Sequence, residues 1–147
     1  MLHACATPRH PDPVQLLSVR ELPARSPDQA TVAVVGEIDA YTAPLLEACL
    51  RTQTRRRGLR ELAIDLRQVT FLDATGLSVL ARALRRCRLR GARLVLRCGR
   101  GTTVLRLVQA SGLAAVVTID REHWTEDAGE RQARYPRLAL QPAGERR

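Results

Sequence analysis

The chain contains no lysine, and only four of its 147 residues are aromatic: Tyr41, Phe71, Trp124 and Tyr135. With so little to stack on bases, and no groove-reading motif, direct nucleic-acid binding is not expected. No apolar run is long enough to cross a membrane, so no membrane partner is expected either. Residues 1–13 hold histidines, prolines and an aspartate in place of the continuous apolar core of a secretory signal. The cysteines, Cys5, Cys49, Cys87 and Cys98, are too widely separated for a zinc ribbon or a redox pair. No metal or cofactor is therefore expected, and unpaired thiols indicate the cytoplasm. No histidine lies near a candidate nucleophile in the patterned core, so enzymatic activity is not expected.

Arginine is abundant. All 24 basic residues are arginine, against 15 acids, for a net charge of +9. Residues 51–100 alone hold fourteen arginines against Glu61, Asp65 and Asp73. A surface of this kind is the electrostatic footprint of phosphate binding. A basic binder using the Arg82, Arg85, Arg86 and Arg90 face is thus the alternative that the charge raises and the scarcity of aromatics opposes.

The length fits one domain, with about 70% of the unfolded chain's surface buried on folding. Residues 1–13 read as a flexible lead-in, 14–120 as the domain, and 121–147 as a partly disordered extension with a weakly patterned helix at 126–134. Within the domain, residues 14–19 and 31–35 form strands joined by a polar turn through Pro23, Ser26, Pro27 and Asp28, most simply a hairpin. Thr42-Ala43-Pro44 starts a helix with a capping hydroxyl and a proline in its first turn. Leu45, Leu46, Cys49 and Leu50 are its apolar side, and it ends in Arg55-Arg56-Arg57-Gly58. Residues 61–66 alternate, placing Leu62, Ile64 and Leu66 on one face of a third strand. Residues 92–96 form a fourth strand, a helix carries Val104, Leu107, Val108 and Ser111, and residues 113–119 end the domain as a buried strand. Gly99-Arg100-Gly101-Thr102-Thr103 lacks the lysine and the spacing of a phosphate loop and reads as a plain turn.

The pivot is Val69-Thr70-Phe71-Leu72-Asp73-Ala74-Thr75-Gly76-Leu77, where strand period gives way to helix period. Leu77, Leu80, Ala81 and Leu84 start a helical stripe, and Asp73 is its natural N-cap. Two readings of the turn follow. Asp73 and Thr75 cap a helix, or the turn displays the Thr75 hydroxyl where helix amides and dipole favour a phosphate.

Strand, strand, helix, strand, helix, strand, helix, strand is an α/β order with helices packed on a mixed central sheet. Gly36-Glu37-Ile38-Asp39, Phe71-Leu72-Asp73-Ala74-Thr75-Gly76-Leu77 and Ser111-Gly112-Leu113 resemble, in order and spacing, the recurrent segments of the STAS domain of bacterial anti-sigma-factor antagonists. The resemblance implies a single STAS domain. It further implies a partner, an anti-sigma factor with a histidine-kinase-type ATPase fold and serine/threonine kinase activity. Binding would free the sigma factor, and phosphorylation of the antagonist would end it. The expected partner face comprises Asp39, Asp73, Ala74, Thr75 and Leu77, with Gly76 permitting close backbone approach. The family's phosphoacceptor directly follows the motif aspartate, where this chain has Ala74; Thr75 is the remaining candidate within the motif. The alternative within the same resemblance is a stand-alone STAS subunit of a lipid ABC transporter or of a larger signalling assembly.

Overall fold

The structure is a computed structural model and describes residue 12 and residues 16–120. The expected lead-in, the expected extension with its helix, and Cys5 lie outside the described residues. Five strands form one sheet in the order β1-β2-β3-β4-β5: Leu17–Leu22, Gln29–Ile38, Glu61–Leu72, Arg93–Arg97 and Thr118–Asp120. The first two make the expected antiparallel hairpin, and every later pair is parallel. Helices α1 (Ala43–Thr54), α2 (Ala74–Leu89) and α3 (Thr103–Ala110) are the crossovers. Each parallel step moves the same way across the sheet, so right-handed connections put all three helices on one face.

Side-chain alternation matches this two-layer design. Ala30, Val32, Val34 and Ile38 of β2, Leu62, Ile64 and Leu66 of β3, and Leu94 and Leu96 of β4 are buried under the helices. The opposite face carries Thr31, Glu61, Asp65, Arg93 and Arg97, with ion pairs joining Glu61 to Arg93 and Arg97 to Asp120 between neighbouring strands. Among the described residues the core is entirely aliphatic apart from Cys87, Cys98 and three buried polar residues, Thr42, Gln53 and Thr54.

Strand β3 is longer than a simple period-two reading allows. Its pairing with β2 slips by one residue between Ala33 and Val35, and again between Gly36 and Glu37. The buried positions therefore run Leu66, Val69, Leu72, three apart, and the two slips together restore the phase. At the start of this region Gly36 has φ +113°, and a Cβ there would stand 2.1 Å from the carbonyl oxygen of Leu16. Only glycine lets β1 lie against β2 at that point.

Four expectations need correction. The stripe of α2 is rotated: Val79, Leu80, Ala83, Leu84 and Cys87 are buried, Leu77 is half-buried and Ala81 is exposed. In α1, Leu46 and Leu50 are buried, whereas Leu45 and Cys49 only border the core. That helix closes at Arg55, before the rest of the arginine run. The expected last buried strand begins instead as a 3-10 turn at Leu113–Ala115, and only Thr118–Asp120 pairs, as a half-exposed edge. An apolar composition alone could not distinguish a strand from a turn there.

Candidate functional site

Strands β2 and β3 end level with each other, at the paired residues Ile38 and Leu72. The chain leaves both at an aspartate, Asp39 and Asp73, which therefore stand side by side at the carboxyl edge of the sheet. Open α/β sheets place ligand and partner sites at this edge. The amide of Asp73 donates to the carbonyl of Ile38 at 3.2 Å, locking the two exits together.

Both aspartates are held by backbone. Asp39 Oδ1 accepts from the amides of Tyr41 at 2.9 Å and Thr42 at 3.0 Å. Asp73 Oδ1 accepts from the amide of Gly76 at 3.0 Å, as expected of an N-cap. Among the described residues neither Oδ2 has a protein hydrogen-bond partner. Thr42 occupies the N-cap position of α1 but makes no side-chain cap bond. Its fully buried hydroxyl instead donates to the carbonyl of Glu37 at 2.7 Å and accepts from the amide of Asp39 at 3.0 Å. The expected capping role of that hydroxyl thus passes to Asp39, and Thr42 stitches the loop to the strand it leaves.

The expected face divides. Asp39, Asp73, Ala74 and Thr75 gather at one end, with Ala74 exposed and Thr75 half-buried. The helix amide is capped by Asp73, so Thr75 is not used as a cap. Leu77 is half-buried and packs against the core. Gly76 faces inward: a Cβ there would lie 2.3 Å from Leu72 Cδ1 and 2.8 Å from Ile38 Cγ2. Its small size seats α2 on the two strand ends, which gives a glycine there an internal reason beside the expected approach by a partner. Ser78, one turn beyond Ala74, is exposed and donates to the Ala74 carbonyl at 2.9 Å.

Sequence reasoning missed Tyr41 and Phe71, which are 44% and 50% exposed and lie two residues from Asp39 and Asp73 respectively. The available signal was composition: in a chain with four aromatics, Phe71 opens one motif and Tyr41 lies two residues beyond the other. A second signal is charge. Residues 36–45 and 69–78, which build this edge, contain Glu37, Asp39 and Asp73 but not one arginine.

The arginine face of α2 is largely spent internally. Glu47 of α1 accepts from Arg86, binds Arg82 at 3.4 Å and lies 3.5 Å from Arg51. Burial works to raise the Glu47 carboxyl, but the Arg86 hydrogen bond and charge, joined by Arg82, outweigh it and hold the group below its ordinary value. Arg90 donates to the carbonyl of Arg55. Only Arg85 of the four is left pointing to solvent without a protein partner among the described residues. At the glycine-rich turn, Thr102 Oγ1 donates to the Gly99 carbonyl at 2.8 Å and accepts from Leu105 N at 3.2 Å, an ordinary helix cap. Ser111 closes α3 in the same local manner, donating to the Val108 carbonyl at 2.8 Å.

This sheet edge thus brings together two anchored carboxylates, a helix start and two exposed aromatics. Among the described residues no group of three or more histidine, cysteine or acidic side chains could hold a metal ion, and no helix is long and apolar enough to cross a membrane. The strand order and the crossover helices define a single α/β domain with a mixed sheet. Residues 22–125 match the STAS domain, and the chain belongs to that family. It is 37% identical to an anti-sigma-B factor antagonist of Listeria monocytogenes over 99 residues, covering 67% of this chain and 85% of the relative. An anti-sigma factor antagonist from Mycobacterium paratuberculosis shares the fold, with a TM-score of 0.64 at 24% identity over 82% of this chain and 96% of that one. The unphosphorylated form of the anti-sigma factor antagonist SpoIIAA matches with a TM-score of 0.57 at 14% identity, over 80% and 99% of the two chains.

Proposed function

We propose that the protein is an anti-sigma-factor antagonist, acting in the cytoplasm by binding rather than by catalysis. The observation that carries this reading is the paired exit of β2 and β3 at Asp39 and Asp73, presenting Ala74 and Thr75 at the start of α2. Its likeness to the Listeria antagonist supports the same reading. The functional unit is residues 14–120, and the partner is an anti-sigma factor of the kinase type with a histidine-kinase-like ATPase fold. Titration calorimetry against that anti-sigma factor, with and without ATP, tests it. A saturable one-to-one complex is expected; absence of binding in both conditions refutes the assignment.

Regulation falls to Thr75, because Ala74 has no hydroxyl to modify. A phosphate near an exposed helix end is worth about 0.3–1 kcal/mol through the dipole. A hundredfold loss of affinity needs about 2.7 kcal/mol. The phosphate must therefore act inside the contact, where its bulk and its charge of about −2 would have to be desolvated between Asp73 and the partner. After incubation with the anti-sigma factor and ATP, mass spectrometry should find phosphate on wild type and none on Thr75→Ala. An unmodified wild type, or equal modification of the variant, removes the switch and leaves the binding role standing.

A further inference from the structure

Of the aromatic side chains among the described residues, both are at the surface and none is in the core. This inverts ordinary usage, in which large rings supply core volume. Here aliphatic residues fill the core, and Tyr41 and Phe71 are set beside the two aspartates at the carboxyl edge of the sheet. Phe71 pairs in register with Glu37, an exposed acid, on the sheet face opposite α1, α2 and α3. Tyr41 lies in the loop that Asp39 Oδ1 fixes through the amide of Tyr41 itself, so the ring stands on an anchored backbone. Exposed rings on rigid supports lose little side-chain freedom when covered, which makes them efficient contact residues.

Charge sets the character of what covers them. In a chain of net charge +9, residues 36–45 and 69–78, which build this edge, hold Glu37, Asp39 and Asp73 and no arginine. Those twenty residues carry no base in a chain where 24 of 147 residues are arginine. Glu37 stands opposite Phe71, Asp39 and Asp73 each lie two residues from a ring, and Arg82 and Arg86 are paired to Glu47, so negative charge accompanies the rings.

We propose that Tyr41 and Phe71 are the apolar anchors of the partner interface, and that the anti-sigma factor meets them with an apolar pocket rimmed by basic side chains. This rests on the antagonist reading and adds what the partner's surface must look like. Phe71→Ala and Tyr41→Ala should each weaken binding of the purified anti-sigma factor by about tenfold or more. Leu89→Ala, which removes a 77% exposed apolar side chain at the far end of α2, should leave affinity unchanged. Added sodium chloride should weaken the wild-type complex, and Glu37→Gln should flatten that dependence. Circular dichroism melts of each variant identify any loss due to unfolding, and Phe71→Tyr, which keeps the ring, should recover most of the affinity. If both alanine variants bind like wild type while Asp73→Asn does not, the anchors are overturned and the antagonist reading survives. A complex indifferent to salt and to Glu37→Gln overturns the basic rim. A wild type that fails to bind at all overturns the antagonist reading and the anchors with it.

Discussion

Replacing Gly76 by alanine tests the packing on which the site depends. The new methyl would stand 2.3 Å from Leu72 Cδ1 and 2.8 Å from Ile38 Cγ2, both far inside contact distance. Leu72 can swing its terminal methyl aside, but Ile38 is fully buried and branched at Cβ, so its rotamer is stiff. Overpacking of this kind costs about 1–3 kcal/mol. Alanine is favoured over glycine inside a helix by about 1 kcal/mol, which offsets part of the strain. A net loss of up to about 2 kcal/mol follows, or at most roughly 1.3 M in urea midpoint for a slope near 1.5 kcal/mol/M. The relaxation that relieves the clash lifts the start of α2 from the strand ends, moving Asp73 and Ala74 away from Asp39, so partner affinity should fall as well. Urea unfolding followed by circular dichroism measures the first effect and calorimetry the second. Leu72→Ala alone should cost about 2–4 kcal/mol. In the Gly76→Ala background it should cost about 1 kcal/mol less, because the cavity accepts the methyl. A Gly76→Ala protein more stable than wild type by the full helix-propensity gain, with unchanged partner affinity, would refute the steric account.

Asp73→Ala removes the acceptor for Gly76 N and should cost about 1 kcal/mol, whereas Asp73→Asn keeps a good cap and should cost a few tenths. If Asp73→Asn nevertheless weakens partner binding, charge and capping are separate roles of one side chain. Glu47→Ala strands Arg86, one of whose terminal nitrogens is already buried without a partner, and should cost about 1–2 kcal/mol in a thermal melt. Because the folded Glu47 carboxyl lies below its unfolded value, its contribution is fully present above the unfolded value and is lost as pH falls through the folded one. Glu47→Gln should therefore narrow the stability gap between neutral pH and pH 4, measured by urea unfolding at each pH. Burial pushes the Cys87 thiol up, so it should resist alkylation at pH 8 until denaturant is added, as followed by mass spectrometry.

The order and type of the elements were legible because each carries its own period. Leu62, Ile64 and Leu66 alternate and are buried under the helices, as alternation requires. The α2 stripe was misplaced by local reading because Leu77 and Ala81 satisfy the same helical spacing as Val79 and Ala83. Which of two interleaved stripes faces inward is settled by where the helix is pinned. Gly76 can touch Leu72 and Ile38 only if it faces the sheet, and that turns Val79, Ala83 and Cys87 inward with it. The short edge strand was overestimated because a run of small apolar residues, 113–119, fits a turn as well as a strand.

At the site, the acids were legible and the rings were not, for a physical reason. An aspartate between a strand and a helix has a local task, accepting amides, and the sequence shows both the acid and the helix start that needs it. An aromatic in an apolar stretch reads as core, because burial is where a ring ordinarily gains most. Phe71 escapes that fate through topology: all parallel connections run one way, so the three crossover helices share one sheet face and Phe71 is on the other. No window of sequence contains that information. The scarcity of aromatics and the absence of arginine from residues 36–45 and 69–78 do contain part of it, since both are properties of the whole chain that become visible only by comparing its segments. The aspartates hold the edge in shape, and the rings and the negative potential give it something to offer. A partner's affinity should accordingly respond to Phe71 without the fold responding, and the fold should respond to Gly76 before any partner is present.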